Sequence, residues 1–206
     1  EVRDKTVELI CSENNLNTIL FLTVANLYDG YLPSSIAGFS VYDIQTIINY
    51  LKNSHQYYQE EKYPQIKKFI EDIYAINSHA EVLMIGKFFD KYFKEVTEHL
   101  DYENHVVFPY MLKLISPKNS VNADNAAQGY SVTEYREHHD DIEEKLTDLK
   151  NLLIKYLPQN NDQCIRRRLL FCLFELESDL KIHSQIEDTI LIPLAEKMEQ
   201  HARPMK

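Results

Sequence analysis

The sequence predicts an all-α protein, an antiparallel four-helix bundle preceded by a short helical hairpin. Three observations carry that expectation. Apolar residues recur at three- and four-residue spacing through four long stretches, the period of a helix with one buried face. Serine-led capping signals and prolines punctuate those stretches. Four glycines and seven prolines in 206 residues leave little for the turns of a β fold, while a 44% apolar content is enough to fill a sizeable core.

The elements follow in order. Residues 5–11 and 16–27 are two short amphipathic stretches separated by the polar Ser12, Glu13, Asn14 and Asn15, so residues 1–30 are expected to form a hairpin. Gly30, Pro33, Ser34, Ser35 and Gly38 give the next stretch a linker composition, assigned to residues 31–39. The bundle is assigned to residues 40–200 and a polar tail to 201–206. Ser40 offers an N-cap with Asp43 three residues on, and Val41, Ile44, Ile48 and Leu51 lead towards His55, with Pro64 as a kink or break. Ser78 is read as the cap of a second helix carrying Val82, Ile85, Phe88, Phe89, Tyr92 and Val96 to His99 and Glu103, bent or ended by Pro109. After a polar loop at 116–129, Ser131 and Glu134 make a capping box for a third helix through His139, Ile142, Leu146, Leu149, Leu153 and Ile154, closed by Pro158. The fourth runs from about Cys164 through Leu170, Leu173, Leu176 and Leu180 to His183, Glu187 and Pro193.

Composition excludes several functions. A net charge of -10 argues against a nucleic-acid binder, which needs clustered Lys and Arg. The basic run Arg166, Arg167, Arg168 spreads around a helix and reads as solvated surface. Cys11, Cys164 and Cys172 are odd in number without CxxC pairing, so they are expected to be free thiols in a reducing, cytoplasmic setting, with Cys164 and Cys172 buried. No apolar stretch approaches the roughly 20 residues of a membrane span. The chain opens on Glu1 rather than Met, which reads as a piece or mature form of something longer.

The pattern H-x3-E-x5-P occurs twice, as His99, Glu103, Pro109 and as His183, Glu187, Pro193. A further histidine stands 44 residues before each, His55 and His139, so ligand types and spacers repeat together with a period of 84. Residues four apart share a helix face, so each His and Glu can grip one ion. Imidazole with carboxylate suits iron, manganese or zinc rather than calcium or magnesium. Four His and two Glu suffice for a dinuclear centre with open coordination positions. Glu95 and Tyr135, one turn before His99 and His139, and Glu143, one turn after His139, are placed to support these ligands. His79, His105, His138 and His201 are left out by position.

The segments HLDYENHVVFP (99–109) and HSQIEDTILIP (183–193), with His55 and His139, resemble the hemerythrin-like HHE domains over about residues 40–200. Ferritin-like di-iron bundles use the reverse order, Glu-x-x-His, and are disfavoured. Oxygen-carrying hemerythrins have a histidine pair four apart on the third helix, where this chain has His139 and Glu143. The set of four His and two Glu is similar instead to the di-iron proteins that repair iron centres after nitric oxide and oxidative stress. Residues 4–27 resemble the latter part of that family's small N-terminal domain, so residues 1–30 are read as its remnant, with the family's cysteine pair upstream. The resemblance implies two irons with an oxo or hydroxo bridge, Glu103 and Glu187 bridging and two His terminal on each iron. It implies oxygen or nitric oxide as small ligands and iron-sulfur proteins as partners, with a diatomic-gas sensor as the alternative.

Overall fold

The computed structural model describes residues 2, 4–115, 131–137, 144–155 and 161–202. Among them all regular structure is helical: α1 (Val7–Glu13), α2 (Thr18–Tyr28), α3 (Val41–Tyr57), α4 (Tyr63–Ile76), α5 (Ala80–Tyr102), α6 (Phe108–Leu114), α7 (Val132–Glu137), α8 (Glu144–Lys155), α9 (Gln163–Ile186) and α10 (Ile192–Ala202). Three π-helical turns join successive helices: π1 (Tyr58–Lys62), π2 (Glu103–Val107) and π3 (Glu187–Leu191).

The N-terminal hairpin is built from local capping chemistry. Thr6 Oγ1 accepts from Leu9 N, and Asn17 Oδ1 accepts from Ile19 N and Leu20 N, satisfying amides that have no partner inside their helices. Between α1 and α2, Asn15 takes φ 54°, a left-handed conformation that asparagine tolerates. Beyond α2, Gly30 (φ 83°) donates to Leu27 O and Tyr31 N to Asn26 O, the bond pair of a Schellman stop.

Asp43 locks the start of α3. Its Oδ2 accepts from Ser40 N at 2.6 Å and Ser40 Oγ at 3.1 Å, the carboxylate half of the capping box expected there. It also accepts from Asn17 Nδ2 at 3.0 Å, tying the hairpin to α3. Asp43→Ala removes three bonds to a buried carboxylate. A cost of about 1–2 kcal/mol is expected by analogy with lost caps, read as a fall of about 2–8 °C in the thermal midpoint.

The chain divides into two compact units. The first comprises residues 1–51, 104–139 and 182–206, so the hairpin belongs to a unit that also holds later segments. Its core includes Leu20, Leu27, Ile44, Ile48, Leu51, Phe108, Met111, Tyr135, Ile186 and Leu191. Glu199 accepts from Val132 N at 3.0 Å and from Tyr110 Oη, and Ser131 Oγ accepts from Glu134 N at 3.2 Å as the capping pattern anticipates. The second unit comprises residues 52–103 and 140–181. Here α4 and α8 pack on α5, around Tyr63, Ile66, Phe89, Tyr92, Leu100, Leu149, Leu173 and Leu176. Burial pushes the Tyr63 hydroxyl well above the usual tyrosine range, with Tyr92 adding to the effect. Lys62 pairs with Glu175 at 2.5 Å, and Lys150 with Glu177 while lying over the Phe174 ring.

Several expectations change. The cap of α5 is His79, in extended backbone, whereas Ser78 Oγ turns back to donate to Tyr74 O. Ile154 is exposed, one position off the stripe of Leu146, Leu149 and Leu153. Arg166 is not simply solvated: its guanidinium makes a two-pronged bond to the buried Asp162 at 2.7 and 2.8 Å. The loop at 116–129, Ile142 and Pro158 lie outside the described residues.

All three cysteines are free, but Cys164 is exposed, Cys172 half-buried and Cys11 buried. The thiol of Cys172 donates to Gln65 at 3.4 Å and is shifted above the ordinary thiol range by burial. A raised value means less reactive thiolate at mildly alkaline pH. Mass spectrometry during alkylation at pH 8 should find Cys164 modified first, Cys172 next and Cys11 last.

Candidate metal centre

The His99–Glu103 pair sits where α5 passes into π2. Val96 and Leu100 beside it are fully packed, which turns the intervening face of the helix inward and carries Glu103 with it. Glu103 is 0% exposed, an environment in which an ionised carboxylate needs compensating positive charge. Its two oxygens meet different histidines: Oε1 is 3.1 Å from His99 Nε2, and Oε2 is 3.4 Å from His55 Nε2. His55 is 1% exposed and His99 15%.

Those separations suit coordination. Two donors each roughly 2.1 Å from one ion, at angles of roughly 90–110°, lie roughly 3.0–3.4 Å apart. His55 and Glu103 belong to a group of His and Glu donors near enough to one another to hold a cation. Glu103 thus presents one oxygen to each of two imidazoles. Imidazole and carboxylate together suit iron, manganese or zinc.

The first unit carries the second copy of the motif. His183 and Glu187, 4% and 0% exposed, bring Nε2 and Oε1 to 3.5 Å at the junction of α9 and π3. In both copies the glutamate is the first residue of a π turn.

The prolines account for those turns. Each π turn begins six residues before a proline: Tyr58 before Pro64, Glu103 before Pro109, Glu187 before Pro193. A proline inside an α-helix lacks the amide that would bond the carbonyl four residues back, and its ring collides with that carbonyl. Widening the preceding turn moves the carbonyl aside, so the chain continues into α4, α6 and α10. The expected bends or ends at Pro64, Pro109 and Pro193 are therefore π turns between helices. In the first of them the place of the glutamate is taken by Tyr58, buried at 3%, three residues after His55. Sequence reasoning missed this residue, although its offset from Pro64 was a readable signal.

The other assigned residues fall as follows. His139 and Glu143 lie outside the described residues, as does His138. Glu95 is engaged by Lys145 and by Lys91 at 3.8 Å, and the hydrogen bond from Lys145 holds its carboxyl below the usual range. Tyr135 is buried in the core of the first unit. His79 and His105, set aside on position, are exposed.

A family model described as the hemerythrin HHE cation-binding domain matches residues 46–195. The chain belongs to the hemerythrin HHE family. Comparison with curated proteins and with solved structures returned no match. The matched residues of this HHE domain include His55, His99, Glu103, His183 and Glu187, so cation binding by the family and the buried His and Glu donors agree. Among the described residues of the HHE chain, no helix is long and apolar enough to cross a membrane.

Proposed function

We propose that this HHE domain is a cytoplasmic non-haem di-iron protein that repairs or protects iron-sulfur clusters under nitric oxide and oxidative stress. His55, His99, Glu103, His139, His183 and Glu187 would hold the two irons within an antiparallel four-helix bundle, the imidazoles and carboxylates supplying the mixed nitrogen and oxygen donors that iron accepts. The observation that carries the reading is Glu103, wholly buried with one carboxylate oxygen towards His55 and the other towards His99. Six protein ligands leave positions open on two ions, and the iron pair supplies the redox change and the binding positions for nitric oxide or oxygen. The protein's residues do the rest: the two glutamates offset cation charge where water is excluded, and the histidines orient the open positions. Manganese and zinc share these donors and are the competing metals.

The repair reading rests on the ligand set and on the similarity of residues 4–27 to the repair proteins' N-terminal domain. Its test is direct. Iron-loaded protein is incubated, with sulfide and a thiol reductant supplied, with a [4Fe–4S] protein bleached by nitric oxide. Return of cluster absorption, absent when Glu103→Gln protein is used, supports repair; no return sinks it.

A second reading, a diatomic-gas sensor, is favoured by one observation. Asn17 on the hairpin bonds Asp43 on α3, the helix that also bears His55. Rapid reversible oxygen binding without product would select that reading.

A further inference from the structure

Most of the centre proposed above is buried, since Glu103 and Glu187 are 0% exposed and His55 and His183 nearly so, while His99 is 15% exposed. A ligand arriving from water therefore needs a route. The first unit contains a groove of about 460 Å³ between α2 and α3, lined by Leu20, Phe21, Val24, Ala25, Ile47 and Ile186 among others. Its lining is almost wholly apolar. At its rim the hydroxyls of Tyr28 and Tyr50 bond one another at 2.6 Å, which leaves these polar groups mutually engaged.

The inner wall is the informative part. Ile186 is fully buried, lies three residues after His183 on α9, and is bonded through its peptide to Glu187. Residues three apart on a helix share a face. The apolar groove thus ends against the stretch of chain that holds one His–Glu pair. Water and ions gain nothing in such a groove, because its lining offers them few hydrogen bonds. A small neutral molecule of low polarity loses little on leaving water and gains dispersion contacts.

We propose that this groove is the entry and holding site for a neutral diatomic gas on its way to the His183–Glu187 end of the centre. The inference rests on the di-iron reading for its destination, while the groove can be probed without metal.

Xenon, an apolar probe of similar size, is titrated against metal-free protein by xenon NMR, for the natural sequence and for Ala25→Trp. Ala25 is exposed on α2 and lines the groove, so the indole fills space without overpacking the core. Thr46→Phe, from the α3 side, is the second variant should the first fold poorly. Nitric oxide association with reduced, iron-loaded protein is then followed by stopped flow. The expected result is a saturable xenon shift lost in the variants, together with several-fold slower association at unchanged iron content and optical spectrum. Absence of a xenon shift in the natural sequence overturns the proposal, as does loss of the shift with no change in association rate. Protein that takes up no iron overturns the parent reading, and this destination with it.

Discussion

Glu103→Gln is expected to abolish stoichiometric iron while leaving the helices intact. The substitution keeps volume and shape, so packing around a wholly buried position is preserved. What it removes is the negative charge and one of the two equivalent oxygens that face His55 and His99. An amide holding one imidazole through its oxygen presents an N–H₂ to the other, and that group repels a cation. The metal-free variant should be at least as stable as metal-free natural protein, because a buried carboxylate is costly without its counter-charge. The linkage test is the sharper readout. Iron at a hundredfold excess over Kd should stabilise the natural protein by about 2.7 kcal/mol per site, or about 5–11 °C in thermal midpoint, and should leave Glu103→Gln unmoved. A variant that keeps two irons and the same thermal shift would show that Glu103 is a packing residue.

Pro109→Ala with Pro193→Ala should weaken metal binding by about 10–100-fold, the range seen when groups that orient ligands are lost. Alanine supplies the missing amide and removes the ring, so π2 and π3 no longer have a steric cause and can close to ordinary α-helical turns. Closing a π turn rotates the residues at its start relative to those beyond it, and Glu103 and Glu187 stand at that start. Far-ultraviolet circular dichroism should be unchanged or slightly more helical, since alanine is the better helix former. Isothermal titration with ferrous iron reads the affinity. Unchanged affinity in the double variant would mean that the wide turns are a consequence of proline with no bearing on the ligands.

Much of this arrangement was legible in the sequence because its signals are local. The Ser40–Asp43 and Ser131–Glu134 boxes form the bonds their spacing implies, at Ser40 N to Asp43 and Glu134 N to Ser131 Oγ. Val82, Ile85, Phe89, Tyr92 and Val96 are buried, as helical periodicity requires, with Phe88 of the expected stripe only partly so, and the spacing of His99 and Glu103 gives a contact of 3.1 Å. The π turns were not legible by periodicity, since each spans only five residues, too few for a wider turn to register against the flanking helical pattern. The proline offset did carry them. Ser78 lost its capping role because the adjacent His79 adopts the extended backbone that starts α5, a choice made by neither side chain's capping strength. Asn17 reaching Asp43 across 26 residues, and the groove that ends at Ile186, are tertiary facts that no local pattern announces.

The central claim is a pair of irons held by buried His and Glu donors. Metal content by mass spectrometry on protein expressed with iron, paired with an optical spectrum before and after reduction, tests it most directly. The account predicts two irons per chain and an oxo-bridge absorption that reduction removes. A folded, helical protein without bound metal would contradict it, and would return His55, His99, Glu103, His183 and Glu187 to the role of core packing.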